Sequence, residues 1–185
     1  MITAAIFAVG VFSMLVAWFF SKRVNKISVT ELASSPEEAD RLEEISQAIR
    51  VGAMAFLFRE YKTLAVFIGF FAILLAFLID DPNGEAHEGI YTAIAFAAGA
   101  GTSILAGYIG MITATAGNVR TAVSARESLS KGFSTAINAG AVMGFGLSGL
   151  AIIGMVGCYF LLEKVLPSSG PHDVQVLMEV LSGFG

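Results

Sequence analysis

Uncharged apolar residues fall in four long blocks along the chain: residues 2–20, about 63–79, 90 to about 116, and about 133–162. No charged residue interrupts any of them. At ~1.5 Å rise per residue each block is long enough as an α-helix to cross a hydrocarbon layer ~30 Å thick. The pattern predicts an all-α membrane protein with four transmembrane helices, over 1–20, 63–79, 90–116 and 133–162.

The polar stretches between the blocks set an orientation. Residues 21–62 carry Lys22, Arg23, Lys26, Arg41, Arg50, Arg59 and Lys62, and residues 117–132 carry Arg120, Arg126 and Lys131. Of the 11 basic residues only Lys164 lies elsewhere. If all four blocks span, both stretches share one side, which the positive-inside rule makes the cytoplasm. The reading is an N-terminus outside, a cytoplasmic segment at 21–62, an outside loop at 80–89, a cytoplasmic loop at 117–132 and an outside tail at 163–185. The first block is read as a retained span, because its positive charges follow the apolar stretch, whereas a signal peptide has them before it.

Local chemistry refines two connectors. Ser35-Pro36-Glu37-Glu38 has the form of a helix start, with a Ser cap, Pro at the first helical position and Glu three residues after the cap. An amphipathic helix is expected from about residue 36, running on into the second span. Its apolar stripe, Leu42, Ile45, Ile49, Gly52, Ala53 and Phe56, suits the membrane surface, another protein segment or its own chain. Asp80-Asp81-Pro82-Asn83-Gly84 reads as a solvated turn, since no calcium-loop spacing follows the two aspartates. His87 and His172 lack metal-ligand spacing and read as exposed polar residues.

The spans divide by residue size. The first two are bulky, with Phe12, Trp18, Phe67, Phe70 and Phe77 among their side chains. The third has Ala98, Thr102, Ala106, Gly110 and Ala114 at four-residue spacing, beside a second row of Ala95, Gly99, Ser103 and Gly107. The fourth has Ala136, Gly140, Gly144 and Ser148. Small residues let helix backbones approach closely in lipid, where apolar area alone gives no association. Spans three and four are therefore expected to pack on each other or on further helices, with spans one and two more exposed to lipid.

Composition agrees with a bilayer: 56% of residues are hydrophobic and 14% charged, against about 25% charged in a soluble domain. A net charge of −4 points to no nucleic-acid partner. Cys158 is the only cysteine, which excludes an intrachain disulfide. The blocks contain no carboxylate, His or Lys of the kind that marks an ion path or a rotor-ring subunit. The chain offers no nucleophile–base arrangement, zinc spacing or phosphate-cradling loop. No catalytic, cofactor-binding or metal-binding residue is assigned from these patterns.

Three stretches carry a resemblance: Ile-Arg-Val-Gly-Ala-Met-Ala-Phe-Leu-Phe-Arg-Glu-Tyr-Lys at 49–62, Gly-Thr-Ser-Ile-Leu-Ala-Gly-Tyr-Ile-Gly-Met-Ile-Thr-Ala-Thr-Ala-Gly-Asn-Val-Arg-Thr at 101–121, and Gly-Ala-Val-Met-Gly-Phe at 140–145. In this order and spacing they resemble the opening part of the membrane-embedded inorganic pyrophosphatases, which couple diphosphate hydrolysis to proton or sodium-ion pumping. The resemblance covers about residues 45–160. It implies a homodimeric pump, a larger multi-helix bundle per subunit, Mg²⁺ as cofactor and possible dependence on K⁺. It implies inorganic diphosphate and H⁺ or Na⁺ as ligands.

The family's metal-binding motifs place Asp four residues from Asp on helices, and Asp40, Asp80, Asp81 and Asp173 show no such spacing. No catalytic residue carries over, and the chain alone is expected to be inactive, as an N-terminal fragment or truncated product. Arg120, Arg126 and Lys131 are read as topology determinants, with positive potential near an anionic substrate as their alternative role. A second reading is a non-enzymatic four-span assembly or accessory subunit.

Overall fold

The computed structural model describes residues 2–32, 35–79, 88–166 and 171–185. Every regular element among them is a helix: α1 Ile2–Asn25, α2 Val29–Leu32, α3 Pro36–Leu78, α4 Glu88–Glu127, α5 Leu129–Val165 and α6 Pro171–Ser182. Four of these, α1, α3, α4 and α5, are long and apolar enough to cross a membrane. The 24 residues of α1 give a rod of about 36 Å, and the 43 of α3 about 64 Å. A helix of the latter length extends well beyond a ~30 Å hydrocarbon core. The turn expected at residues 80–84, and His87, lie outside the described residues, as do the side chains of His172 and Asp173.

The helix start at Ser35 forms as its sequence dictates. Ser35 Oγ accepts a hydrogen bond from the Glu38 backbone N–H at 3.2 Å, satisfying a donor that has no partner within the helix. Pro36 stands at the first helical position, where its missing N–H costs nothing. From there α3 continues unbroken through the second apolar block.

The connector read as a loop over 117–132 is helical. α4 continues to Glu127, α5 begins at Leu129, and Ser128 alone separates them. Ser128 Oγ accepts from the Lys131 backbone N–H at 3.2 Å, capping α5. Charge patterning fixes which side of a membrane a segment favours and says little about its backbone, and residues 117–127 contain no Pro after Gly117 to stop a helix. The stretch 163–185, read as an outside tail, likewise holds a helix, α6.

The chain divides into two compact units. The first comprises residues 1–9, 60–105 and 150–185. Its core is Ala95, Cys158, Leu162, Leu166, Leu177, Val180 and Leu181, with Tyr91, Tyr159, Val176 and Phe184 packed on it. α6 contributes Leu177, Val180 and Leu181, a short apolar stripe too brief to register as a span. Gly99 receives the Phe184 backbone carbonyl so closely that a Cβ there would collide with it. The row beginning Ala95–Gly99 thus holds the chain's own C-terminal residues. α3 meets α4 in this unit through Tyr61, whose hydroxyl donates to the Ile104 carbonyl at 2.8 Å, and through Phe71 against Phe96, 5.2 Å between ring centroids.

The second unit comprises residues 10–59 and 106–149. Here α4 and α5 form a tight hairpin. A Cβ on Gly132 would lie 2.6 Å from Ala125 Cβ, and one on Gly117 2.8 Å from Ala139 Cβ. Only glycine admits this approach at Gly132, where the backbone of Ala125 itself stands in the way. Buried Ser124 and Thr135 share a hydroxyl–hydroxyl hydrogen bond of 3.1 Å across the pair, so neither buried hydroxyl is left without a partner. α5 also packs on α1: a Cβ on Gly149 would lie 2.9 Å from the Gly10 carbonyl oxygen and 3.1 Å from the Met14 backbone nitrogen. Phe20 stacks on Phe145 in the same contact, 6.5 Å between centroids.

Within the spans themselves a Cβ on Gly110 would lie 2.8 Å from Met143 Cε, and one on Gly154 3.2 Å from Thr102 Cγ2. Packing of span three on span four is borne out, and two details are corrected. The row Ala136, Gly140, Gly144 and Ser148 is exposed, and neither Gly140 nor Gly144 has a neighbour within 4 Å of a Cβ position. α5 uses other faces for its contacts, because helix rotation is set by the neighbour and the row alone does not specify it. Span one is also less exposed than its bulky residues suggest. Gly10, Ser13 and Ala17 are buried along one side of α1, a small-residue stripe beneath the aromatic surface. Span two keeps its expected character: none of its apolar window is buried, and Val66, Phe70, Ile73 and Phe77 are all exposed.

Candidate functional site

The second unit contains a polar cavity of about 510 Å³. Three elements build it. The stretch 25–30, from the end of α1 into α2, supplies Asn25, Lys26, Ser28 and Thr30; α3 supplies Glu43, Ser46, Gln47 and Arg50; α4 supplies Ile112, Thr115, Ala116, Val119 and Arg120. The α3 residues recur at intervals of three and four, the spacing of one helix face. The α4 residues do the same, which is why two continuous helices can wall one cavity.

The charge is mostly positive, with Lys26, Arg50 and Arg120 against Glu43. Arg120 donates to the Ala116 carbonyl at 2.8 Å, while its Nε is buried with no hydrogen-bond partner. A buried unsatisfied donor costs about 1–3 kcal/mol, more on a charged group.

Of the three cations singled out in the second basic stretch, the structure brings only Arg120 to this cavity. Arg126 pairs with Glu38, and Lys131 pairs with Glu127 at 2.9 Å. The pairing with Glu38, by hydrogen bond first and charge attraction second, raises the Arg126 pKa further above its ordinary value. Lys26 and Arg50 were not distinguished from the other basic residues in the sequence. The signal for Arg50 was the polar row Glu43, Ser46, Gln47 and Arg50 on the α3 face beside the apolar stripe, and Lys26 had none.

That stripe faces its own chain in part. Leu42, Ile45 and Ile49 line a groove of about 150 Å³ with Thr115, Asn118, Val119 and Ala122 of α4. Ile45 and Ile49 are 58% and 49% exposed there.

A magnesium–diphosphate site does not fit these residues. Among the described residues no three His, Cys, Asp or Glu side chains come together, and the cavity offers one carboxylate among three cations. Magnesium takes hard oxygen ligands and is held through carboxylates and substrate phosphates.

A helical chain with four apolar helices of spanning length is an integral, multi-pass membrane protein. It belongs to the inorganic H⁺ pyrophosphatase family, whose model matches residues 11–185. It is 36% identical over 177 residues to "K(+)-insensitive pyrophosphate-energized proton pump 2" of Moorella thermoacetica, a match covering 95% of this chain and 23% of that protein. Against the K(+)-insensitive pyrophosphate-energized proton pump of Methanosarcina mazei it is 37% identical over 154 residues, 82% of this chain and 20% of the relative. A protein of Bacteroides thetaiotaomicron, provisionally named a K(+)-stimulated pyrophosphate-energized sodium pump, is 33% identical over 180 residues, 95% of this chain and 23% of the relative. The chain spans about a fifth of the length of these relatives.

Proposed function

We propose that residues 1–185 form the opening four-span part of a membrane pump that couples hydrolysis of inorganic diphosphate to transport of H⁺ or Na⁺. The observation that carries this reading is the family match across residues 11–185, together with relatives named as pyrophosphate-energized pumps. Proton-pump and sodium-pump relatives match at similar identity, so the reading covers both ions.

In this reading the four spans are scaffold. Magnesium and diphosphate are held by acidic helices outside residues 1–185, and K⁺ acts only where those helices bind it. The working unit is a homodimer. The N-terminus faces outside, and residues 21–62 and 117–132 face the cytoplasm. Lys22 sits over the Trp18 ring, 3.7 Å from the centroid, at the basic end of α1, and an aromatic beside cations suits a membrane–water interface there. The exposed row Ala136, Gly140, Gly144 and Ser148 suits a helix with further neighbours in a larger bundle.

The test is a graft. Residues 11–185 replace the matching stretch of the Moorella pump, and diphosphate-driven ion transport is measured in vesicles. Transport should persist in the chimera, and the purified 185-residue chain should hydrolyse no diphosphate with Mg²⁺. A chimera that inserts and folds yet cannot pump, or hydrolysis by the chain alone, overturns the reading.

A further inference from the structure

From the charges left open in the polar cavity, we propose that this chain binds one soluble, hydroxylated phosphate monoester, its phosphate among Lys26, Arg50 and Arg120 and its hydroxyls on Glu43, Ser46 and Gln47. The inference goes beyond the pump reading and is independent of it, since this cavity lacks the carboxylates of a magnesium–diphosphate site. On the orientation given above the ligand comes from the cytoplasm.

The cations call for an anion. Among the described residues Lys26, Arg50 and Arg120 make no ion pair, whereas Arg126 and Lys131 are both paired. Arg120 also forms part of the cavity wall, and its Nε–H is withdrawn from water and has no acceptor. An anionic oxygen beside it supplies one, and the planar guanidinium fork matches the geometry of a phosphate.

Glu43 decides what else the ligand carries. It lines the same cavity as three cations and pairs with none of them. An ionised carboxylate only accepts hydrogen bonds, so an inorganic anion, itself chiefly an acceptor, leaves Glu43 unsatisfied and is repelled by it. Ser46 and Gln47 share that face of α3 and make no side-chain hydrogen bond among the described residues. Hydroxyl groups on the ligand satisfy all three. Charge balance then selects the anion. Three cations against one carboxylate leave two positive charges, and a phosphate monoester carries about −1.5 to −2 at pH 7. An amino acid, neutral overall, leaves both charges unmatched. Size agrees, because about 510 Å³ lies within the ~300–1,000 Å³ of small-molecule sites.

The experiment is isothermal titration calorimetry on the 185-residue chain in non-ionic detergent without divalent cations. The probes are glucose 6-phosphate, glucose, inorganic phosphate and diphosphate. One glucose 6-phosphate should bind per chain, more tightly than phosphate or diphosphate, and glucose should not bind. Arg120→Gln and Arg50→Gln should each weaken it by about tenfold or more. Glu43→Ala should bring the ester and phosphate together in affinity, a narrowing that a displaced helix would not produce. Lys131→Gln, outside the cavity, should leave every affinity unchanged. Lys26→Gln, at an exposed position, serves if an arginine variant fails to fold. The chimera with the Moorella pump should bind the ester as well. Phosphate or diphosphate held as tightly as the ester, binding of glucose, or indifference to Arg120→Gln and Lys26→Gln overturns the proposal. So does a chimera that pumps yet binds no ester, which would mean that another segment of the larger bundle fills the cavity.

Discussion

Arg126, in the last turn of α4, donates its guanidinium to the carboxylate of Glu38, in the first turn of α3. Each charge also suits the helix end that carries it, because a carboxylate complements the positive N-terminal end of a helix and a cation the negative C-terminal end. The pair joins residues 88 positions apart and anchors the start of α3 to the α4–α5 hairpin. Charge reversal, Arg126→Glu, should lower the thermal midpoint in detergent, and the double exchange with Glu38→Arg should recover part of the loss. Indifference to both would show that the pair fixes nothing.

The same pair sets a pH dependence. Arg126 has its pKa raised by Glu38. A group whose folded pKa is raised contributes stability that is complete below its unfolded pKa and is lost as pH climbs through the folded value. For an arginine both values lie far into alkali. The midpoint difference between wild type and Arg126→Ala should therefore stay flat from about pH 7 to about pH 10. A difference that fades within that range contradicts the assignment of the effect to Arg126.

Gly149 and Gly144 distinguish a filled face of α5 from an open one. Gly149→Leu drives a side chain into the α1 backbone at Gly10 and Met14 and should cost roughly 1–3 kcal/mol, read from unfolding of the chain in detergent. Gly144→Leu meets nothing within 4 Å and should stay within about 0.5 kcal/mol. In the full-length protein Gly144→Leu should become disruptive, if further helices cover that row. Equal tolerance of both substitutions in the chain would contradict the α1–α5 contact.

Thr135→Val keeps the shape of the side chain and removes its hydroxyl. It should lower stability by roughly 1 kcal/mol through loss of the bond to Ser124, and Ser124→Ala should add little once Thr135 is gone. Full additivity of the two would show that the hydroxyls do not act on each other.

Orientation is open to direct labelling. Single cysteines at Gln47 and at Ser130, in a chain with Cys158→Ala, should react with a membrane-impermeant thiol reagent from the same side. A cysteine at Thr3 should react from the other. Labelling of Gln47 and Ser130 from different sides would remove the four-span topology.

The spans were legible because lipid imposes an unbroken apolar run on each of them, and Ser35-Pro36 was legible because capping is local chemistry. Faces were harder to read. Ala136, Gly140, Gly144 and Ser148 form a regular row, yet α5 turns other residues toward its neighbours. Which row is used depends on partners distant in sequence. The stripe Gly10, Ser13 and Ala17 was hidden by the aromatic residues around it. α6 was missed because 12 residues with charges among them resemble neither a span nor a long amphipathic helix. The cavity was legible in one residue of three: Arg120 was singled out with Arg126 and Lys131 among the cations of 117–132, whereas Lys26 and Arg50 gain meaning only when the chain after α1 is brought against α3 and α4.

A joint of one residue at Ser128 leaves α4 and α5 no slack. Each added residue turns a helix by about 100° and lengthens it by about 1.5 Å. An insertion after Ser130 would therefore carry Thr135, Ala139 and Met143 off the α4 side together. Over this stretch α5 cannot ratchet past α4, and any motion that a working cycle asks of the hairpin must move both arms as one piece.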